Sequence, residues 1–222
     1  KSATPGKMLS VFSSARRRST GCSGTVRKEW IRDVRFVQQS AKTQRNDGEI
    51  LGDILHAAPD ARLALKALSF VDAETCELFH EHFMAHDIDH SRIDLLPPTV
   101  PLAKFLDEYR RIDVALAPLP YNGGTTTCET LWMGVPVITL PGQHFFGRMG
   151  LSILKTLALD ECIAASPSDY VSIAVEMARN PERLTQYRST LRTRLQQSPL
   201  CDGEAFTRGQ ETTYQTMVAS AQ

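Results

Sequence analysis

The sequence predicts an α/β fold built on a doubly wound, Rossmann-like parallel sheet. From residue 34 onward, short apolar runs rich in β-branched side chains alternate with segments of helical periodicity, which is the pattern of a parallel sheet covered by helices on both faces. The composition agrees, because 42% apolar and 23% charged residues are ordinary values for a globular protein. No uninterrupted apolar run approaches the roughly 20 residues that a membrane-spanning helix requires.

Each element of this fold is assigned from its local pattern. The strands are predicted at residues 34–38, 62–66, 93–96, 113–117 and 136–140, with a short last strand at 162–164. The helices are predicted at residues 48–57, 73–86, 102–110, 126–133, 147–158, 168–179, 181–197 and 203–220. Pro181 opens the helix at 181–197, because the first turn is where proline's missing amide hydrogen is not needed. We therefore expect residues 33–222 to form one domain with helices at its C-terminal end.

Residues 1–32 differ from the rest of the chain in charge and in pattern. They contain eight basic residues and one acidic residue, whereas the whole chain has 25 of each sign and no overall field to attract nucleic acid or an anionic membrane. The segment lacks an apolar stretch long enough for a secretory signal. We predict that it is disordered, with a transit-like or nucleic-acid-binding arm around its three consecutive arginines as the alternative. The chain begins with Lys1 rather than methionine, so we expect it to be a fragment.

Cysteine and histidine usage argues against disulfides and against a metal site. The five cysteines are widely and irregularly spaced, which fits neither a disulfide framework nor a zinc motif and favours a reducing, cytoplasmic compartment. His82 and His86 are four residues apart and would share one face of a helix, which is the spacing of a possible metal-ligand pair. The surrounding segment AETCELFHEHFMAHDI is also typical of an amphipathic helix whose histidines face solvent. We take this second interpretation and predict no metal.

The loop after the predicted strand at 113–117 is the best candidate for a binding site. Ligands of doubly wound sheets bind outside the carboxyl ends of the strands. Here the strand leads into LPYNGGTTTCETLWMG, in which Asn122, Gly123 and Gly124 predict a tight turn that permits a positive φ and lets the backbone approach a ligand closely.

The three threonines that follow this turn predict a binding site for a diphosphate. The hydroxyls of Thr125, Thr126 and Thr127 and the amide hydrogens of the first helical turn point toward the positive end of the helix dipole. Glu129 comes one turn after Thr125 and is placed to accept hydrogen bonds from a ribose. The alternative is a helix start that is merely well capped. Three β-branched residues in series favour binding, because one cap would suffice and threonine is a mediocre helix former.

The longer segment PYNGGTTTCETLWMGVPVITLPG resembles the donor-site signature of the protein O-GlcNAc transferases and their SPINDLY-like relatives. The segments FVQQSAKT, RLALKAL, LSILKTLALDECIAASPSDYVSIA and LRTRLQQSPLCDGEAF resemble the same family in order and spacing. The resemblance implies a GT-B glycosyltransferase, in which two domains together move a sugar from a nucleotide donor to serine or threonine hydroxyls of proteins. It covers only the second domain, so residues 33–222 are expected to form the nucleotide-sugar-binding domain. An acceptor domain and tetratricopeptide repeats are expected upstream.

The resemblance also implies roles for single residues. Gln39 and Lys42 contact the nucleotide and its phosphates, and Lys42 stabilises the leaving diphosphate. The threonine-rich helix start supplies the remaining contacts: Thr125 and Thr126 hold phosphate oxygens, Thr127 supports the turn, and Glu129 takes the ribose. The expected chemistry is inverting and metal-independent, with UDP-GlcNAc or GDP-fucose as the donor, and the catalytic base is expected in the missing N-terminal domain.

Three departures from the family pattern keep other functions open. Phe105 stands where the family usually has a histidine near the phosphates, Ala117 replaces an aspartate, and the residues before Lys42 have changed to VQQSA. The chain alone is therefore expected to bind the donor weakly and not to transfer sugar. A non-catalytic nucleotide-binding remnant or interaction module is the first alternative. Another nucleotide-binding α/β enzyme, such as a sugar epimerase or a kinase-like protein, is the second, but it would need a glycine motif that FVQQSAKT lacks.

Overall fold

A computed structural model describes residues 35–39 and 45–220, with side chains at Phe36, Val37 and from residue 48 onward. The five strands are β1 (Arg35–Gln39), β2 (Arg62–Lys66), β3 (Ile93–Leu96), β4 (Val114–Leu116) and β5 (Val137–Ile138). The helices are α1 (Arg45–Ala57), α2 (Ala73–Met84), α3 (Leu102–Glu108), α4 (Thr125–Trp132), α5 (Met149–Thr156), α6 (Pro167–Ala178), α7 (Pro181–Gln196) and α8 (Gly203–Ser220). The basic segment at 1–32 lies outside the described residues.

The strands form one parallel sheet in the order β3-β2-β1-β4-β5. The chain first moves outward from β1 to β3, then returns to the other side of β1 for β4 and β5. All three residues of β4 are buried, as expected for a strand that helices cover on both faces. The predicted α/β class and the doubly wound sheet are confirmed.

The last two predicted strands are shorter than expected. β5 covers two residues rather than five, and the predicted strand at 162–164 contracts to a single parallel bridge between Thr139 and Ile163. Pro136 and Pro141 flank β5 and cannot donate amide hydrogens to a sheet, so they limit its length. A two-residue strand presents few backbone hydrogen-bonding groups to a neighbouring strand. This explains why the next strand is reduced to one bridge.

Arginine side chains tie the helices together by binding backbone carbonyls. Arg92 donates to the carbonyls of Leu55, Ala58 and Ala61 at distances of 2.8 to 3.0 Å, which satisfies the open C-terminal end of α1. Arg179, Arg188, Arg192 and Arg194 make similar bonds from α7 and the end of α6. These bonds fix how the helices sit around the sheet.

The described part of the chain contains no helix long and apolar enough to cross a membrane. Four cysteines within it are free thiols, namely Cys76, Cys128, Cys162 and Cys201. No group of three or more His, Cys, Asp or Glu side chains in that part could hold a metal ion. His82 lies on α2 and His86 lies two residues beyond its end; their rings are 5.0 Å apart, and the Nε2 of His56 is 2.9 Å from the carbonyl oxygen of His86.

Candidate functional site

The candidate site lies where the strand order of the sheet reverses. β1 pairs with β2 on one side and with β4 on the other, so the carboxyl ends of β1 and β4 lie side by side. The loop after β4 occupies residues 117–124 and leads directly into α4. Ligands of doubly wound sheets bind at such a switch point. The threonine-rich segment therefore sits where a ligand is expected.

The first turn of α4 keeps polar groups available to a ligand. Its N-cap residue is Gly124, and no side chain caps the helix, whereas α2, α6 and α7 each have a side-chain cap. Thr125 is exposed and Thr126 is half-buried. Among the residues that the structure describes, neither hydroxyl has a hydrogen-bond partner. Open amide hydrogens and hydroxyls at the positive end of a helix form a suitable site for an anion.

Two buried side chains hold the loop in shape. Asn122 is 1% exposed; its Nδ2 donates to the carbonyl of Pro118 and its Oδ1 accepts from Thr139, both at 3.0 Å. The hydroxyl of Thr127 donates to the carbonyl of Gly123 at 2.6 Å. The side chain of Asn122 is thus buried and hydrogen-bonded within the protein, where it supports the loop whose backbone is predicted to approach a ligand.

The glycine turn does not adopt the positive φ that its glycines permit. Gly124 has a φ of −95°, and the one glycine with positive φ in the described ranges is Gly134, at the far end of α4. Glycine is favoured at positions 123 and 124 because there is little room for a side chain. A Cβ on Gly123 would lie 2.2 Å from the hydroxyl oxygen of Thr126, and a Cβ on Gly124 would lie 3.3 Å from the Cε of Met149. Gly123 therefore leaves room for the threonine hydroxyl.

Glu129 is half-buried on α4, one turn beyond Thr125. Desolvation raises the pKa of its carboxyl group. Burial disfavours the ionised form, so the carboxylate gains more from hydrogen bonds to a ligand than an exposed one would. The carboxylate of Glu129 can therefore accept hydrogen bonds from hydroxyl groups of a ligand bound at the start of α4.

The sequence-predicted residues on the β1 side are only partly within the described ranges. Gln39 is the last residue of β1 and pairs in register with Lys66, so its backbone lies at the carboxyl edge. The side chain of Gln39 and the whole of Lys42 lie outside the described residues. The structure therefore places the end of β1 next to β4 and leaves the contacts of these two side chains as predictions.

Two of the three departures from the family pattern, Phe105 and Ala117, occupy packing positions. Phe105 on α3 packs edge-on against Tyr109, with ring centroids 5.6 Å apart, and the Nζ of Lys66 lies 5.8 Å from the Phe105 ring. Ala117 is buried, and its carbonyl accepts a 3.0 Å hydrogen bond from the hydroxyl of Tyr170. Both residues stabilise the elements that frame the site, and neither side chain can hydrogen-bond a phosphate.

Sequence reasoning missed a charged cluster at the carboxyl edge. The Nζ of Lys66 donates to the carbonyl of Pro97 at 2.9 Å and to Thr99 and Glu108 at 2.8 Å. This lysine fastens the loop after β3 to the end of β2 and to α3. The lysine that follows the apolar residues LAL in the segment RLALK is the one local signal that could have identified it.

An aromatic stack beside the loop was also missed. The ring of Phe146 lies between those of Tyr121 and His144, with centroids 5.4 and 5.5 Å away. The carbonyl of Phe146 accepts the amide hydrogen of Asn122 at 3.0 Å. The loop after β5 thus supports the loop after β4, and the segment QHFFG signals only that aromatic residues are present.

Comparisons with known proteins agree with this geometry. The model of glycosyl transferase family 41 matches residues 42–209. A probable UDP-N-acetylglucosamine–peptide N-acetylglucosaminyltransferase SPINDLY from Hordeum vulgare is 35% identical over 173 residues, which cover 76% of this chain and 18% of that protein. Its counterpart from Solanum lycopersicum is 36% identical over 168 residues, covering 74% of this chain and again 18% of the relative. The chain thus spans less than a fifth of these relatives.

Solved structures show the same relationship. An O-GlcNAc transferase mutant from Thermobaculum terrenum matches with a TM-score of 0.78 and 33% identity, over 83% of this chain and 36% of that chain. A sucrose-phosphate synthase from Thermosynechococcus elongatus matches at 16% identity with a TM-score of 0.56, over 94% of this chain and 49% of its own, and shares the fold alone. The parallel five-stranded sheet matches the C-terminal domains of GT-B glycosyltransferases. This chain belongs to glycosyl transferase family 41.

Proposed function

We propose that this chain is the donor-binding domain of a protein O-linked glycosyltransferase and that the segment 121–129 holds the diphosphate of a nucleotide sugar. The observation that carries the proposal is the start of α4, where no side chain caps the helix and two threonine hydroxyls have no partner among the described residues. Membership of family 41 supports it. The relatives from barley and tomato are both named as probable peptide N-acetylglucosaminyltransferases.

In this proposal, the helix start and the loop after β1 share the donor. Thr125 and Thr126 donate hydrogen bonds to phosphate oxygens together with the amide hydrogens of the first turn. Glu129 accepts hydrogen bonds from the ribose. Gln39 and Lys42 approach from the neighbouring loop after β1, where Lys42 faces the diphosphate.

The proposed chemistry is inverting transfer without a metal ion. As the bond to the sugar breaks, negative charge builds on the departing diphosphate while the sugar becomes cation-like. Lys42 and the N-terminal amides of α4 supply the positive charge that a divalent cation supplies in other transferases. The base that accepts the proton of the serine or threonine hydroxyl is expected in an acceptor domain outside this chain. We therefore expect the chain alone to bind a donor and not to transfer sugar.

The donor is proposed to be UDP-GlcNAc, with GDP-fucose as the alternative. The names of the plant relatives favour UDP-N-acetylglucosamine. Titration calorimetry with UDP and with GDP distinguishes the two, because the base is the part of the ligand that differs. Stronger binding of GDP would reassign the donor.

Thr126→Val tests the diphosphate site. Valine keeps the shape and removes the hydroxyl, so we expect UDP affinity to fall about tenfold, the value of one hydrogen bond to a charged group. Thr216→Val on the exposed helix α8 is the matched control, since its hydroxyl bonds only to the carbonyl of Thr212. Equal affinities of the two variants would contradict the assigned role.

A non-catalytic remnant is the second candidate. Phe105 and Ala117 favour it, because both put a side chain without hydrogen-bonding groups where the family pattern has a polar one. Calorimetry that shows no heat with UDP or GDP at millimolar concentration would support this function and overturn the first.

A further inference from the structure

A line of contacts connects α7 to the first turn of α4 through a tyrosine outside the segment 121–129. The guanidinium group of Arg188 donates to the carbonyl of Tyr109 at 3.0 Å, to that of Met133 at 3.2 Å, and to that of Ile112. One side chain thus holds the turn after α3, the entry to β4 and the C-terminal end of α4. This arrangement fixes Tyr109 relative to α4.

Tyr109 in turn contacts the helix that starts at the candidate site. It is 2% exposed, and its hydroxyl oxygen lies 3.0 Å from the hydroxyl oxygen of Thr130. Thr130 donates its single hydroxyl hydrogen to the carbonyl of Thr126 at 2.7 Å. The hydroxyl of Thr130 thus lies within hydrogen-bond distance of both acceptors, the hydroxyl oxygen of Tyr109 and the carbonyl oxygen of Thr126.

The same helix is held at its other end by α7. The Nε of Arg192 donates to the carbonyl of Trp132 at 2.8 Å, and its guanidinium lies 5.6 Å from the centre of the Trp132 ring. α4 is eight residues long, so both attachments lie within about two turns of its first residue. Small displacements matter at its start, because hydrogen bonds to a ligand weaken steeply outside a narrow range of distance and angle.

We propose that Tyr109, held by Arg188, is a positioning residue for the diphosphate site. Its hydroxyl fixes the rotamer of Thr130, and Thr130 fixes the carbonyl of Thr126, so that the amide hydrogens and hydroxyls of the first turn keep one orientation. The effect on ligand binding rests on the proposed function, whereas the effect on the first turn of α4 is a property of the free protein.

Tyr109→Phe tests this inference, because it removes the hydroxyl and keeps the ring that packs against Phe105. Tyr187→Phe is the matched control: Tyr187 is 6% exposed, and its hydroxyl donates to Glu161 at 2.7 Å, away from the start of α4. A purely structural role would lower the melting temperature in both variants and leave the site unchanged in both. Thr130→Val removes the other half of the contact and is expected to reproduce the effect of Tyr109→Phe.

Two readouts are measured on each variant. In the free protein, the backbone amide NMR signals of residues 125–127 are expected to shift, and their hydrogen exchange to accelerate, in Tyr109→Phe but not in Tyr187→Phe. UDP affinity is expected to fall about fivefold in Tyr109→Phe, the equivalent of one ordinary hydrogen bond, and to stay constant in Tyr187→Phe.

The outcomes separate this inference from the proposed function. Unchanged amide signals in Tyr109→Phe would overturn the inference, whether or not UDP binds. Shifted signals in a protein that binds neither UDP nor GDP would support the coupling and overturn the proposed function. Loss of UDP affinity in Thr126→Val with full affinity in Tyr109→Phe would overturn the inference and leave the proposed function standing.

Discussion

Glu129 carries a carboxyl group whose ionised form is disfavoured by its surroundings. Desolvation raises its pKa, and no cation among the described residues opposes the shift. The folded protein therefore binds this proton more tightly than the unfolded chain does. The stabilising contribution is fully present below the pKa of the unfolded chain and is lost as the pH rises through the raised pKa of the folded protein. A group that weakens the fold at neutral pH is often retained for function.

Glu129→Gln is expected to make the protein more stable and to weaken nucleotide binding. At pH 7 the variant lacks the buried negative charge, so its melting temperature is expected to exceed that of the wild type, and the difference is expected to shrink as the pH is lowered through the pKa of Glu129. UDP affinity is expected to fall about tenfold through weaker hydrogen bonds to the ribose. Thermal unfolding across pH and calorimetry measure the two effects. A variant that is less stable at pH 7 would contradict this account.

At the scale of elements, the junction of α4 with α7 determines where the candidate site lies. α4 ends at Trp132, and Gly134 follows with a φ of +79°, the left-handed conformation that terminates many helices. A Cβ at this position would lie 2.9 Å from the carbonyl oxygen of Arg188. Both the backbone conformation and the close approach of α7 therefore require glycine.

Gly134→Ala is expected to destabilise the fold by about 1 to 3 kcal/mol, because alanine is strained at positive φ and its Cβ would push α7 away. The measurement is the free energy of unfolding in urea. Gly52→Ala is the matched control, since Gly52 lies within α1 and its added Cβ would meet no atom of the described residues within 4 Å. That variant is expected to gain up to about 1 kcal/mol from helix propensity. Equal effects of the two changes would show that the junction does not depend on glycine.

The elements could largely be predicted because local patterns determine them. β2 and β3 have the predicted bounds, and the helix at 203–220 has the predicted length. The strand at 162–164 was wrong in extent, since its length depends on how many residues its neighbour offers. The position of the threonine loop followed from a rule about parallel sheets. The supporting role of Asn122 could not be predicted, because it depends on Thr139, 17 residues away, and the contact of Arg188 with Tyr109 spans 79 residues.

At the scale of the whole molecule, the C-terminal helices contribute unequally to the fold. α7 buries Tyr187, Leu191 and Leu195 against the domain. α8 has 18 residues and buries none of them, and Phe206 and Met217 are more than 60% exposed on it. Stability of the domain should therefore depend on α7 and hardly on α8.

Truncation after Asp202 is expected to leave the melting temperature within about 1 °C of the full chain, because exposed residues contribute little to stability. Truncation after Asn180 is the contrasting variant. It removes three buried large side chains, worth on the order of 5 kcal/mol, and is expected to prevent cooperative unfolding. Thermal unfolding followed by circular dichroism measures both. A loss of several degrees in the shorter truncation would show that α8 stabilises the domain.

The arginines that join the helices donate most of their hydrogen bonds to main-chain carbonyls. A carbonyl oxygen is present at every position whatever residue evolution places there, so each anchor survives substitution of the residues it holds. A mutation at Leu55, Ala58 or Ala61 alters packing but cannot remove the acceptor that Arg92 uses. Only the arginines must be retained for these hydrogen bonds to form. Such a framework tolerates extensive sequence divergence, which is consistent with a fold shared with relatives that differ at about two thirds of aligned positions.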